Sequence, residues 1–265
     1  MNALEIIVCD LDGVIWLGGD AIPGSVEAVA RLRASGRRVV FVTNSSAFTI
    51  AEHTASLAAI GIDATGDVLS SASAAGELIA AGERVLACGG NGVVEAIELA
   101  GATAIAGDDD TEVADGVDAV IVGFHRTFDY HRLALATAAV RSGARLIATN
   151  RDPLYPTRTG PIPGAGSIVA AVATASGADP VTAGKPFPPM ARALHALLGD
   201  EAAPVNLVVV GDQVSTDGQF AVELGCRFAL VRTGNTRPGS PVEFERDFDG
   251  ADLAAVTETI VTGHT

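Results

Sequence analysis

The chain has 265 residues, 48% of them hydrophobic and 5% aromatic, and a formal charge of −15 from 17 Lys plus Arg against 32 Asp plus Glu. That is material for one large domain or two moderate ones, with cores built from Ala, Val, Leu and Ile. No basic run is present, which argues against a nucleic-acid polymer or an anionic membrane as partner, and no apolar run approaches the roughly 18 residues of a membrane span.

In chain order, the first element is an apolar strand at Ile6-Ile7-Val8 that runs into Asp10-Leu11-Asp12-Gly13. A helical stretch over 28–35 stops at Gly36 and gives way to a strand at Val39–Val42, which ends in Thr43-Asn44-Ser45. The same unit of helix, glycine and strand recurs. Residues 94–100 end at Gly101, residues 133–142 at Gly143 before a strand at 146–148, and residues 221–224 at Gly225 before a strand at 228–231. Glycine just past a helix end takes the left-handed conformation without steric cost. Near-continuous apolar strands such as Val120-Ile121-Val122 and Leu207-Val208-Val209-Val210 suit a parallel sheet covered on both faces. The alternation predicts an α/β doubly wound fold, in which ligands bind at the carboxyl ends of strands. These units are too many for one sheet. Softer stretches at Ala80-Ala81-Gly82-Glu83 and Gly177-Ala178-Asp179-Pro180 bracket the middle, so residues 82–181 are expected to form a second α/β domain inserted into a core of 1–81 and 182–265.

The N-terminus has no basic region and meets Asp10 after a few apolar residues, so no signal peptide is expected and the cytoplasm is the expected compartment. Cys9, Cys88 and Cys226 lack metal-ligand spacing and read as reduced core thiols.

Chemistry-bearing residues fall where apolar strands end. Lys185, in Thr182-Ala183-Gly184-Lys185-Pro186, is the one lysine beside 16 arginines. A compact ammonium is interchangeable with a guanidinium on a surface but not in a tight phosphate site. Asp10 and Asp12 are two carboxylates close together, which invite a cation such as Mg²⁺; a plain Asp-Gly turn is the alternative. An EF-hand does not fit, because Ile15 and Ala21 stand where that loop needs Gly and Glu. Gly90-Asn91-Gly92 lacks the third glycine of a dinucleotide fingerprint, and Pro186 replaces the Ser or Thr of a phosphate loop. Thr43, Asn44 and Ser45 can offer a hydroxyl and backbone N–H groups to a phosphoryl group. Gly211 leaves room at its strand end for a metal or phosphate. Asp212 adds a third carboxylate, and Asp217 can anchor metal-bound water or Lys185; helix N-capping is the alternative for each aspartate. Carboxylates and a phosphate dianion share a cleft only with cations, and Lys185 plus Mg²⁺ supply them. One carboxylate can then attack phosphorus while the other acts as general acid and then base.

These four motifs, Asp10-Leu11-Asp12-Gly13, Thr43-Asn44, Lys185 and Gly211-Asp212 with Asp217, resemble those of the haloacid dehalogenase superfamily of phosphatases. The insertion, with Ala148-Thr149-Asn150-Arg151-Asp152-Pro153 and Pro163-Gly164-Ala165-Gly166-Ser167, is similar to the type-II cap of its NagD-like, nitrophenylphosphatase-like subfamily. The resemblance implies Asp10 as nucleophile and metal ligand, Asp12 as acid/base with its backbone carbonyl on the metal, and Asp212 completing the Mg²⁺ site. Asp217 supports that site from behind, Thr43 and Asn44 bind phosphate, and Lys185 neutralises it. Gly218 departs from the family, which places an apolar residue there.

The resemblance also implies that cap loops face the core and choose the leaving group. Phe124, His125 and Tyr155 are the candidates there: His125 as a phosphate-side donor or a loop-ordering residue, and the two rings as stacking partners for a flat substrate or as packing. Arg151-Asp152 reads as a loop-fixing ion pair or a substrate contact. Trp16 belongs to the flap such enzymes carry after the first motif, and Ser45 is placed to meet the leaving group. The expected activity is Mg²⁺-dependent hydrolysis of a small organic phosphomonoester through an aspartyl-phosphate. The alternatives are a phosphotransferase or dehalogenase of the superfamily and a non-catalytic sugar-phosphate or nucleotide sensor. The residues give no oligomeric state; similar proteins pair through the cap, which admits a homodimer.

Overall fold

A computed structural model describes residues 5–107, 116–155, 157 and 159–263. The chain divides into two units, one of Met1–Thr43, His53–Leu69 and Lys185–Thr265, the other of Asn44–Glu52 and Ser70–Gly184. The elements run β1 (Ile6–Cys9), β2 (Trp16–Leu17), β3 (Asp20–Ala21), α1 (Ser25–Ala34), β4 (Arg38–Thr43), α2 (Ile50–Ala59), β5 (Val68–Ser70) and α3 (Ser71–Gly76). Then come β6 (Arg84–Cys88), α4 (Asn91–Leu99), β7 (Thr103–Ala106), β8 (Ala119–Val122), α5 (Tyr130–Arg141), β9 (Arg145–Ala148), β10 (Leu154–Tyr155), β11 (Ile162–Pro163), α6 (Ala165–Ser176) and β12 (Val181–Thr182). The chain finishes with α7 (Pro188–Leu198), β13 (Leu207–Gly211), α8 (Gln219–Leu224), β14 (Arg227–Val231), β15 (Phe248–Gly250) and α9 (Leu253–Thr262).

The first unit is built on a six-stranded sheet of order β15-β14-β13-β1-β4-β5. β1 pairs in parallel with β13 on one side and β4 on the other, so that Cys9 lies opposite both Val210 and Phe41. Every residue of β1 and β13 is buried, as both-faced coverage demands, with α1 packed on α9 and α7 on α8. The register sets the carboxyl ends of three adjacent strands side by side, and there the chain carries Asp10, Thr43 and Asp212. The expected α/β doubly wound architecture is therefore present, with helix-stop glycines 36, 101, 143 and 225 all at positive φ.

The second unit holds a five-stranded sheet of order β12-β9-β8-β6-β7, all parallel where paired, over a core that includes Leu86, Val120, Val122, Leu135, Val140, Val169 and Val172. The sequence placed its limits at 82 and 181, and the contacts fall differently at both ends. α3 packs on α4, which draws residues from Ser70 into this unit. β12 pairs with β9, and the ladder continues as Ala183 and Gly184 donate to the carbonyls of Ala148 and Thr149, which carries this unit to Gly184. No described helix is long and apolar enough to cross a membrane.

Candidate active site

The lone lysine is 4% exposed, and its Nζ donates to Asp10 Oδ1 and to Asp217 Oδ1, each at 2.7 Å. Asp10, Asp212 and Asp217 are all buried, and each presents a carboxylate oxygen, all within 4.8 Å of one another. Four of the residues singled out in the sequence, from three separate stretches of chain, thus share one buried cluster in the first unit. Its electrostatics follow from burial and like charge. Burial pushes the Asp10 carboxyl well above its usual range, with Lys185 opposing and Asp217 and Asp212 adding to the rise. Asp212 rises to about 7, through burial first and Asp217 next, against the restraint of Asn235 and Lys185. Burial by itself would lower the Lys185 pKa, but the two carboxylates outweigh it and hold the ammonium charged. Three acidic groups face one cation, so the cluster is short of positive charge.

Glycines make this crowding possible. Gly13 turns the chain at φ +88, and a Cβ there would lie 2.7 Å from the Asp212 carboxylate. A side chain on Gly234 would overlap the same carboxylate. A side chain on Gly211 would overlap the carboxylate of Asp217. The expectation that Gly211 makes room for a metal or phosphate is corrected on this point: the room is taken by Asp217. That carboxylate also accepts from the backbone N–H of Gln213 at 3.1 Å, across a π-helical turn at Val214–Gly218. Gly218, the departure from the family pattern, has a local reason. A Cβ there would meet the Phe244 ring at 2.9 Å, and Phe244 packs edge-on against Phe228 in the space an apolar side chain at 218 would need.

Asp12 lies at the turn after β1, and its Oδ1 accepts from the Trp16 indole N–H at 3.1 Å. Trp16 opens the β2–β3 hairpin, where the flap was expected. Thr43 is buried at the last position of β4. The next residue belongs to the second unit. There Asn44 donates through Nδ2 to Asp152 at 3.1 Å, and its carbonyl accepts from Ser71 and Asn150, each at 2.7 Å. Ser45, half-buried, follows on the same stretch.

The remaining candidates are also in the second unit. Phe124 and Tyr155 stack on each other with centroids 4.4 Å apart, so the face of Phe124 toward Tyr155 is spent on packing. His125 accepts at Nδ1 from the Thr127 backbone N–H at 3.3 Å, and burial, then Arg132, lowers its pKa. A neutral ring that orders its own loop is the role this geometry favours. Arg151 donates to Thr182 Oγ1 at 2.8 Å.

Sequence reasoning passed over Asn235, whose backbone N–H and Nδ2 both donate to Asp212 Oδ2, the latter at 3.0 Å. It sits in Thr233-Gly234-Asn235 after β14, the same strand-end glycine signal that pointed to Gly211-Asp212. It also passed over the indole bond of Trp16, which no spacing reveals.

Two family models match the chain, a haloacid dehalogenase-like hydrolase over residues 7–103 and a HAD-hydrolase-like model over 182–255. The chain is 36% identical over 235 residues to D-glycerol 3-phosphate phosphatase of Mycobacterium tuberculosis, covering 87% of this chain and 63% of that protein, so it spans under two thirds of that relative. It is 32% identical over 257 residues to phosphoglycolate phosphatase 2 of Arabidopsis thaliana, covering 89% and 85%. A structure of glycerol phosphate phosphatase from Mycobacterium tuberculosis in complex with magnesium superposes with a TM-score of 0.83 at 33% identity, covering 96% of this chain and 76% of that one. Structural neighbours include NagD-like and p-nitrophenyl phosphatases. The chain belongs to the haloacid dehalogenase-like hydrolases.

Proposed function

We propose that this protein is a Mg²⁺-dependent phosphatase of small organic phosphomonoesters, working through a phosphorylated Asp10. The observation that carries the reading is the buried Lys185 ammonium set between Asp10 and Asp217, with Asp212 in the same cluster. In a molecule of charge −15 the ammonium is one of the cations that a phosphate dianion requires there, and a divalent ion would be the other. The donor set also fits magnesium, a hard ion that takes oxygen ligands, because the cluster is all carboxylate and short of cations. Asp10, Asp212 and the carbonyl of Asp12 would hold it, with Asp217 behind them through Lys185. Bound there, it would offset charge on the phosphoryl oxygens.

The residues then divide the work. A carboxylate oxygen of Asp10 attacks phosphorus while the bond from phosphorus to the leaving alcohol breaks, and Asp12 gives its proton to the departing oxygen. Asp12, now ionised, takes a proton from a water whose oxygen attacks the aspartyl-phosphate. Inorganic phosphate leaves and Asp10 is restored. Lys185 steadies the charge on both the nucleophile and the phosphoryl group, and Thr43 and Asn44 position the latter. The second unit is the proposed cap, with Ser45 and Tyr155 as its substrate-side groups and Phe124 and His125 ordering the loops beside them. Relatives named for glycerol 3-phosphate and phosphoglycolate favour a short aliphatic phosphomonoester.

Phosphate release from a panel of phosphomonoesters, with Mg²⁺ and with chelator, tests the reading. Release that requires Mg²⁺ and is lost in a folded Asp10→Asn variant is expected. Turnover by that variant would remove the nucleophile, and binding without any turnover by the native chain would favour a sensor.

A further inference from the structure

We infer that Trp16 is a positioning residue for Asp12, fixing which carboxylate oxygen carries the proton given to the leaving group. The inference rests on the reading of Asp12 as acid/base. The indole Nε1 donates to Asp12 Oδ1 at 3.1 Å, and Trp16 is 9% exposed. An indole N–H is a donor only. Oδ1 is therefore held as an acceptor, and the transferable proton resides on Oδ2. A neutral acid with a free rotor would place its proton on either oxygen, and only one placement is productive.

The donor is itself fixed. The Trp16 backbone N–H donates to Leu11 at 3.2 Å and its carbonyl accepts from Gly13 at 2.8 Å, which closes the turn that carries Asp12. One residue earlier, the carbonyl of Ile15 accepts from the Ile22 N–H at 2.9 Å and from Ser25 Oγ at 3.0 Å. The β2–β3 hairpin thus serves as the frame from which the indole reaches back two positions past Val14. A Trp in a flap merely for packing would not need its polar edge on the acid.

The test is the leaving-group dependence of Trp16→Phe, which keeps an aromatic ring and removes the donor. An alkoxide needs the acid's proton and a nitrophenolate does not. The expected result is a kcat/KM about tenfold lower for glycerol 3-phosphate or 2-phosphoglycolate, the upper range for loss of one hydrogen bond to a neutral group. The kcat/KM for p-nitrophenyl phosphate should stay within about twofold, because that ratio ends at phosphoryl transfer to Asp10, where departure of a good leaving group gains little from general acid catalysis. Equal losses on both substrates, or no loss on either, overturn the inference. Asp12→Asn separates the two levels: it must show the same asymmetry in kcat/KM more strongly, with kcat lowered on both substrates through the shared hydrolysis step, and if it does not, the acid/base reading itself fails. If it does while Trp16→Phe shows none, the positioning role alone fails. Trp16 is the only tryptophan, so its indole N–H gives a single NMR signal in the native fold. Asp12→Ala is expected to shift that signal and speed its exchange about tenfold, in line with losing that bond; an unmoved signal contradicts the bond.

Discussion

Replacing Asp212 by Asn is expected to stabilise the metal-free protein while destroying its response to magnesium. Asp212 is 2% exposed and its pKa is pushed up to about 7, from 3.8 for an ordinary aspartate. A folded-state pKa raised in this way contributes stability that is fully present below about pH 3.8 and is lost as pH rises through about 7. At pH 7.5 the displacement corresponds to about 4 kcal/mol against the ionised folded state. Asn removes that charge and keeps an oxygen for the Asn235 donors, at a cost of about 1 to 2 kcal/mol for bonds that lose their charge assistance. The net gain is about 2 to 3 kcal/mol, or several degrees at roughly 2 to 4 °C per kcal/mol for a chain of this size. Thermal melts in chelator at pH 7.5 and pH 5 measure it. The variant's advantage should shrink at pH 5, where native Asp212 is protonated. Added Mg²⁺ should raise the native midpoint at pH 7.5 and leave the variant's unchanged. A variant less stable than the native protein at both pH values, by the same amount, would refute the reasoning that the cluster stores carboxylate repulsion.

Lys185→Met is expected to cost about 3 to 5 kcal/mol, since it strands two buried carboxylates that each lie 2.7 Å from Nζ; a denaturant titration shows it, and a melt unchanged from native would contradict it. Gly211→Ala places a methyl on the Asp217 carboxylate. It should lower kcat by about a hundredfold, the scale of misplacing a group by about 1 Å, while a control Gly107→Ala, outside the left-handed region and with its nearest neighbour at an ordinary 3.7 Å, leaves kcat alone. Asn235→Ala removes one of the Asp212 donors. It should weaken Mg²⁺ about tenfold in a calorimetric titration, the usual cost of losing a partner behind a metal ligand.

The fold was legible because its signals are local. Apolar strands ending in Asp10, Thr43 and Asp212 announce a parallel sheet, and glycines such as Gly36 and Gly225 mark helix ends. The convergence of Asp10 and Asp212 could be read from strand-end position, since the doubly wound topology sends carboxyl ends to one edge; Lys185 follows β12 of the other sheet, so strand order does not place it. What stayed hidden depends on pairing and packing across long separations. The extent of the second unit follows from β12 joining β9 and α3 joining α4, neither of which has a composition marker. The use of Gly211 by Asp217 depends on a π-helical turn that five residues of sequence do not disclose. The stacking of Phe124 on Tyr155, 31 positions apart, likewise has no marker in the local sequence.

The central claim is that one divalent ion and one ammonium gather these aspartates around a phosphoryl group. A crystal grown with Mn²⁺ and orthovanadate tests it most directly through anomalous scattering. The account predicts a single strong peak between the Asp10 and Asp212 carboxylates, with vanadate beside it and Lys185 Nζ within hydrogen-bond distance of a vanadate oxygen. A manganese peak elsewhere, or Lys185 turned away from the anion, would contradict it.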